Sequence, residues 1–315
     1  MNTTRPARRP SALLALAFTT CAALPAHAQD TGAGLDAEAS LLNAATPAWM
    51  HGDVGAAWRQ GWRGQGTTIT VVDDFRSAST STGRLGTTTQ RLRHGEWTAM
   101  EAGMVAPLAT VRRHDFASGS AVSLQRGLNV LNLSYGMMAR AGYQASQIRW
   151  SAQENSIIGY ARQGQAVVVK AAGNDGTALT GANRQGQTDY LNLALRGTAS
   201  TIYVGALNTH GSTTARASLA SYSNTPGSDA TLQRQFLVVG VTGQTTGLYG
   251  TSFAAPIVSG YAAVLGSKFT SATPTQITNQ LLNTARQDTI AGYRATLHGR
   301  GEASLSRALA PQAIR

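Results

Sequence analysis

The sequence of 315 residues has one cysteine, two lysines and no apolar run long enough to cross a membrane. The lone cysteine, Cys21, excludes a disulfide within the chain. Because Lys170 and Lys268 are the two lysines, arginine supplies nearly all of the positive charge. Because no disulfide can stabilise it, the fold must depend on a hydrophobic core, and the length is sufficient for one large domain.

The N-terminal segment has the features of an export signal. Arg5, Arg8 and Arg9 precede a mostly apolar stretch over residues 11–25, and residues 26–28 match a small-residue cleavage site. Cleavage after residue 28 predicts an exported protein, located in the periplasm or the medium.

Cleavage at that point divides the chain into three parts. Residues 1–28 are the predicted signal peptide, residues 29–57 an N-terminal extension and residues 58–315 a large domain. Residues 34–45 are predicted to form a short helix. Removal of Cys21 with the signal also excludes thiol chemistry in the mature protein.

The composition is basic, with 26 lysines and arginines against 15 acidic residues and a net charge of +11. Loss of the three signal arginines leaves 23 against 15, a net charge of +8. The arginines are scattered, and no basic stripe carries interleaved aromatic residues, which argues against a nucleic-acid surface. We interpret the charge as a solvated surface.

Short β-rich runs alternate with helical patterns, which predicts an α/β fold with a mostly parallel central sheet and helices on both faces, three layers in all. Several strand candidates are nearly continuous apolar runs, as expected for strands covered on both faces. The predicted strands are residues 67–72, 130–134, 166–171, 202–206 and 236–239. The predicted helices are residues 95–105, 146–163, 252–268 and 274–286, and the predicted loops are residues 77–89, 178–187 and 209–217.

Polar side chains follow two of the predicted strands directly. Asp73 and Asp74 come after the first strand, and Asn174 follows the third. Ligands of open α/β sheets bind beyond the carboxyl ends of the strands. We therefore expect these side chains to project toward a functional site.

Residues 250–256 place a serine, Ser252, at the beginning of an apolar helix. The first N–H groups of a helix lack partners within the helix, and the helix dipole there favours negative charge. Ser252 is therefore either an N-cap of a buried helix or a nucleophile beside an anion-binding helix end.

Four residue types in this chain meet the requirements of acyl transfer. A serine such as Ser252 needs a base, and a histidine such as His94 suits that role because its pKa lies near neutrality. A carboxylate such as Asp73 fixes the histidine ring, and an amide such as Asn174 can donate to an oxyanion.

With these residues the chain resembles the subtilisin-like serine peptidases, the subtilase family. The order aspartate, histidine, serine is that of the family. Residues 250–256 resemble its serine motif, with Phe253 where methionine is usual, and residues 171–174 resemble its oxyanion motif. Residues 133–136 resemble its substrate-binding strand. The resemblance covers almost the whole mature chain.

The resemblance implies a subtilisin-like fold and the hydrolysis of peptide bonds through an acyl-enzyme. It gives the catalytic roles to Asp73, His94 and Ser252, and the oxyanion role to Asn174. It also implies peptide binding along Ser134, Tyr135, Gly136, Ala172 and Gly173.

The expected partners are protein or peptide substrates, with no nucleic acid, and the expected state is a monomer. No cofactor or metal is expected, because the sequence has no His-Glu-x-x-His pattern. The structural calcium of some relatives cannot be read from the sequence.

Four residues depart from the family pattern around the catalytic groups: Asp74, Phe75, Glu96 and Trp97. They leave two alternatives open beside an active endopeptidase. One is a weak or inactive relative that binds peptides or inhibits. The other is an esterase that uses the same triad. Asp175, beside Asn174, is interpreted as a solvated turn residue, although it could favour basic side chains at a pocket rim.

Overall fold

A six-stranded parallel sheet runs through the centre of the fold in the computed structural model, which describes residues 46–314. The strands of this sheet and of two small antiparallel pairs are β1 (Thr67–Asp73), β2 (Ser81–Gly83), β3 (Gln90–Leu92), β4 (Thr110–Asp115), β5 (Leu128–Leu133), β6 (Met138–Arg140), β7 (Val167–Ala171), β8 (Gln187–Asp189), β9 (Thr201–Leu207) and β10 (Phe236–Gly240). The order in the central sheet is β10-β9-β7-β5-β1-β4, while β2 pairs with β3 and β6 with β8.

The helices connect these strands and cover the sheet. They are α1 (Gly52–Arg59), α2 (His94–Val105), α3 (Ala152–Gln163), α4 (Tyr190–Leu195), α5 (Ala230–Arg234), α6 (Gly243–Thr246), α7 (Ala255–Lys268), α8 (Pro274–Asn283), α9 (Ala295–His298) and α10 (Leu305–Leu309). Three short 3₁₀ turns lie at Phe116–Ser118, Ala145–Gln147 and Thr251–Phe253.

The core has two parts, one on each face of the sheet. Successive side chains of a strand point to opposite faces, so Val71 of β1 packs in the part that contains α2 and α7, and Val72 packs in the part that contains α3 and α4. This arrangement is the predicted three-layer α/β fold, and the prediction is confirmed.

The five predicted strands correspond to β1, β5, β7, β9 and β10, with ends that differ by one or two residues. The prediction missed β4, which lies at the edge of the sheet. Its sequence, residues 110–115, is mostly polar and only partly buried, so it has no apolar run to reveal it.

Two predicted helix starts were wrong. The helix expected from residue 146 begins at Ala152, because the Ser151 side chain caps it by accepting from the Gln153 and Glu154 N–H groups. The helix expected from Ser252 begins at Ala255, after the 3₁₀ turn Thr251–Phe253.

Other features of the helices follow the sequence. Thr273 and Gln276 form a capping box at the start of α8, which ends at Asn283 rather than residue 286. Helix α7 is buried on every side, as its apolar sequence indicates. The short helices α1, α4, α5, α6, α9 and α10 were not predicted.

The predicted signal peptide, its cleavage site and the helix over 34–45 lie outside the described residues. Within the described part, Trp49 and Met50 already belong to the core, so close packing begins before residue 58. No helix between residues 46 and 314 is long and apolar enough to span a membrane.

Helix α7 approaches α2 closely at Gly260. A Cβ built on Gly260 would lie 2.4 Å from the Val105 Cγ1 atom and 2.5 Å from its Cβ, shorter than normal carbon contacts. Val105 is the last residue of α2 and is fully buried, so it has little space to move. The glycine therefore sets the distance between the helix that begins beside Ser252 and the helix that carries His94.

Replacement of Gly260 by alanine should lower the free energy of unfolding by about 1–3 kcal/mol, because the added methyl group overpacks this contact. The matched control is Gly159→Ala in α3, where an added Cβ meets nothing within 4 Å. That change should raise the free energy of unfolding by about 0.5–1 kcal/mol. Denaturant unfolding of both variants checks the prediction, and equal effects of the two changes would contradict it.

Candidate active site

The predicted site residues lie at the carboxyl edge of the sheet. In the parallel register, Val72 of β1 pairs with Leu133 of β5, and Leu133 pairs with Lys170 of β7. The next residues of the first two strands are Asp73 and Ser134, so both lie at the same edge. Asn174 follows β7 after a short turn.

Asp73 is buried and holds three hydrogen bonds. Its Oδ1 lies 2.6 Å from His94 Nδ1 and accepts from the Asp74 N–H at 2.7 Å. Its Oδ2 accepts from the Thr98 hydroxyl at 2.9 Å. The carboxylate is therefore fixed at the side of the His94 ring, and Nδ1 is the ring nitrogen that it engages.

His94 is the first residue of α2, and its neighbours hold the start of that helix. Glu96 accepts from the Arg93 N–H at 2.9 Å, as a capping residue does. The Trp97 indole is fully buried and donates to the Ser81 carbonyl at 3.1 Å. Gly95 lies under the Phe75 ring, since a Cβ at Gly95 would come within 2.9 Å of it.

The pKa of His94 is raised above its usual 6.5. Burial opposes this shift because it disfavours the charged ring. The hydrogen bond and charge of Asp73, together with the charge of Asp74, outweigh burial. Asp74 itself accepts from the Arg76 and Ser77 N–H groups, which with the Ser77 hydroxyl lower its own pKa against burial.

Ser252 lies in the 3₁₀ turn that precedes α7 and does not cap that helix. The N-cap alternative for Ser252 is therefore wrong. Its hydroxyl donates to the Ser134 carbonyl at 3.3 Å, and the Ser134 hydroxyl donates to the Ser252 carbonyl at 2.9 Å. Within residues 46–314 no hydrogen bond joins Ser252 to His94. Phe253, the next residue, contacts the His94 ring with centroids 5.6 Å apart.

Asn174 is attached to the Ser252 turn by its side-chain oxygen. Its Oδ1 accepts from the Thr251 N–H at 2.8 Å and from the Thr251 hydroxyl at 3.0 Å. The amide NH₂ group must then point away from Thr251, and both of its protons can be donated. Gly250 has a φ of 120°, and a Cβ there would lie 3.1 Å from Asn174 Nδ2, so glycine permits the close approach.

A cavity of about 170 Å³ lies beside Ser252. Residues 134–136 and 171–174 form two of its walls, so the structure brings Ser134, Tyr135, Gly136, Ala172 and Gly173 together around it. The sheet pairing of β5 ends at Leu133, and residues 134–137 belong to no strand. Met137 already donates its N–H to Asp189 and accepts from the Tyr190 N–H, and the Ser134 carbonyl accepts from Ser252. The backbone of Tyr135 and Gly136 is therefore the part that can pair with an extended chain.

Several residues that line or support the site were not identified from the sequence. Thr98 lies four residues after His94 on α2, a spacing that could have revealed it. The Thr251 hydroxyl accepts from the Gly173 N–H at 3.0 Å and so links the Ser252 turn to the wall formed by residues 171–174. Lys170 and Asp189 also line the cavity and form an ion pair. They are distant in sequence, and no local pattern pairs them.

No group of three or more histidine, cysteine, aspartate or glutamate residues that could hold a metal ion occurs between residues 46 and 314. The expectation that the protein uses no cofactor stays a prediction. A larger cavity of about 650 Å³ lies around Trp58, Met100 and Met104 and includes none of the predicted site residues.

A family model described as the subtilase family matches residues 94–304. The matched part contains His94, Asn174 and Ser252, and Asp73 lies before it. The search against curated proteins finds no match.

Three solved proteases share the fold. One is the prenylagaramide maturation protease PagA, with 18% identity and a TM-score of 0.54 over 82% of this chain and 98% of that one. A lanthipeptide protease has 18% identity and a TM-score of 0.53 over 81% and 91%. A protease from Pseudoalteromonas arctica PAMC 21717 has 19% identity and a TM-score of 0.50 over 84% and 99%. At these identities the likeness concerns the fold.

Asp74→Asn should lower the pKa of His94, because it removes a negative charge that favours the protonated ring while an amide oxygen can still accept from the loop. NMR titration of the His94 ring measures this pKa. The protonated fraction at a fixed pH near the midpoint should fall. Asp175→Asn is the matched control, since it removes the same charge from a residue that does not act on His94. An unchanged or higher pKa in Asp74→Asn would contradict the prediction.

Proposed function

The chain belongs to the subtilase family of peptidases, and from that membership we propose that it is an exported serine endopeptidase. In this proposal Asp73, His94 and Ser252 form the catalytic triad, and Asn174 donates to the oxyanion. The observation that carries it is the 2.6 Å contact between Asp73 and His94 at the edge where Asn174 is bonded to the Ser252 turn.

Acylation begins when the Ser252 hydroxyl turns from the Ser134 carbonyl to His94 Nε2. The 3.3 Å bond to Ser134 is long, and rotation about one side-chain bond releases it. Catalytic hydrogen bonds are often loose before substrate binds. His94 then takes the proton while Ser252 Oγ attacks the peptide carbonyl carbon, and Asp73 stabilises the charged ring through Nδ1.

Acylation also requires stabilisation of the negative charge that develops on the oxygen of the attacked carbonyl. Ser252 lies in a helical first turn, where N–H groups lack partners within the helix. Asn174 has its oxygen engaged by Thr251, which orients the NH₂ group as a donor before the reaction. Such preorganised donors stabilise the tetrahedral intermediate without reorganisation.

Collapse of the intermediate breaks the carbon–nitrogen bond, and His94 gives its proton to the leaving amine. Water then attacks the acyl-enzyme with His94 again as base, which releases the acid and restores Ser252. The backbone of Tyr135 and Gly136 supports an endopeptidase, because it can pair with a chain that continues beyond the scissile bond.

Ser252→Ala should lower the turnover of a peptide substrate by about 10⁶-fold, because the residues of a triad act as a unit. Asn174→Ala should lower turnover by about 10²–10³-fold with little change in KM, because the oxyanion exists only in the transition state. Hydrolysis of a mixed peptide library, followed by mass spectrometry, measures both.

The control is labelling by a fluorophosphonate, which reacts with an activated serine. The unaltered chain should be labelled, and Ser252→Ala should not. Near-normal turnover in either variant would refute the role of that residue. Labelling without peptide hydrolysis, together with hydrolysis of simple esters, would identify an esterase instead.

We also propose export with cleavage after Ala28. The arginines, the apolar stretch and the small-residue site of the N-terminal segment support it. N-terminal sequencing of the protein released by a bacterial host should begin at Gln29. A first residue well inside the core, such as one beyond Val54, would count against this site.

A further inference from the structure

The cavity beside Ser252 contains a buried ion pair, and we infer that this pair makes the cavity select an uncharged substrate side chain that can accept a hydrogen bond, such as glutamine or asparagine. The pair joins Lys170 Nζ and Asp189 Oδ2 at 3.0 Å. The inference rests on the proposed function, because it concerns the residues that a peptide would present to this site.

The Asp189 carboxylate is already occupied. Its Oδ1 accepts from the Met137 N–H at 2.8 Å and from the Leu191 N–H at 3.1 Å. Its Oδ2 faces Lys170 and lies against Gly136, where an added Cβ would come within 2.8 Å of it. A basic side chain that entered the cavity would therefore find this carboxylate paired and enclosed.

The Lys170 ammonium has one donor to spare. Besides its contact with Asp189, Nζ donates to the Ala171 carbonyl at 2.7 Å. An ammonium has three N–H donors, and among the described residues these two acceptors are the partners of Nζ. Because Lys170 lines the cavity and is 1% exposed, the third N–H can serve a group that enters there.

A charge of either sign in the cavity meets a like charge. A lysine or arginine side chain would bring a second cation beside Lys170. A glutamate or aspartate side chain would share the ammonium with Asp189 and place two carboxylates around it. Like-charge contacts of this kind in a desolvated site disfavour binding strongly. An amide oxygen takes the spare N–H and adds no charge.

Asp175 does not reverse this preference. It lines the same cavity, but its side chain is exposed, and water and salt screen exposed charges. Lys170 and Asp189 are buried, with side chains 2% and 10% exposed, so their charges act in a medium of lower dielectric. The buried pair should dominate the selection.

Removal of one partner should convert the cavity to a charge-selective site. Lys170→Met leaves the Asp189 carboxylate without its cation, so a basic side chain should become the favoured occupant. Asp189→Asn leaves the Lys170 ammonium unpaired but retains a side-chain oxygen for the Met137 and Leu191 N–H groups, so an acidic side chain should become favoured.

The test measures the affinity of fluorescent hexapeptides by anisotropy in a Ser252→Ala background, where hydrolysis cannot interfere. Glutamine, leucine, lysine or glutamate is placed at each position in turn of an otherwise alanine sequence. At one position, glutamine should bind about tenfold or more tightly than lysine or glutamate. Lys170→Met should shift the lysine-to-glutamate affinity ratio about tenfold or more toward lysine, and Asp189→Asn a similar amount toward glutamate.

Three outcomes would overturn the inference. A lysine or glutamate peptide could bind most tightly to the chain that retains Lys170 and Asp189, neither variant could change the lysine-to-glutamate affinity ratio, or no peptide could bind. The double variant Lys170→Met with Asp189→Asn covers a folding failure of the single ones, because it leaves no unpaired charge. The unaltered chain should bind the glutamine peptide more tightly than the leucine peptide, because leucine cannot accept the spare Lys170 N–H. The double variant should lose this preference, and its retention would also overturn the inference.

These outcomes are separate from the proposed function. The peptides could show the expected selectivity while the unaltered chain, which retains Ser252, neither hydrolyses peptides nor reacts with a fluorophosphonate. That result would refute the peptidase and leave the selectivity standing. Efficient hydrolysis after lysine or glutamate would support the peptidase and refute the selectivity.

Discussion

The parallel register of β1, β5 and β7 is the constraint on which the rest of the site depends. It brings Asp73 and Ser134 to one edge of the sheet and starts the turn to Asn174 from the same edge. The opening turn of α7 is then attached there by two sets of hydrogen bonds, between Asn174 and Thr251 and between Ser134 and Ser252. A slip of one strand by one residue would turn these side chains to the other face.

The sequence was sufficient for the features that follow from apolar runs and strand ends. The five predicted strands are apolar because helices cover both faces of the sheet, so they could be found from the sequence. Asp73 and Asn174 could be placed at the site edge for the same reason. The polar edge strand β4 and the short helices could not be found, because they are fixed by contacts rather than by periodicity.

Other features could not be predicted because they depend on contacts between residues that are distant in sequence. Ser252 precedes an apolar helix in sequence, but its turn is formed with Ser134, 118 residues away, and so it is not an N-cap. Lys170 and Asp189 meet only through the fold. From the sequence we considered Asp175 instead, which we interpret as a solvated turn residue, with a role at the pocket rim as the alternative. The charge that matters most in a cavity is the one that water cannot screen.

The residues that depart from the family pattern have structural roles around His94. Glu96 caps its helix, Trp97 ties that helix to β2, and Phe75 packs over Gly95. Asp74 differs from these three because its charge favours the protonated form of the His94 ring. The altered neighbourhood therefore supports the position of the His94 ring and changes its electrostatics through one carboxylate.

The central claim, that these elements form one acyl-transfer site, is tested most directly by a crystal structure of the chain after reaction with a fluorophosphonate. The account predicts a covalent bond from phosphorus to Ser252 Oγ, with the phosphoryl oxygen within hydrogen-bond distance of Asn174 Nδ2 and the Ser252 N–H, and with His94 still bonded to Asp73. An adduct on another residue, or a phosphoryl oxygen turned away from Asn174, would contradict it.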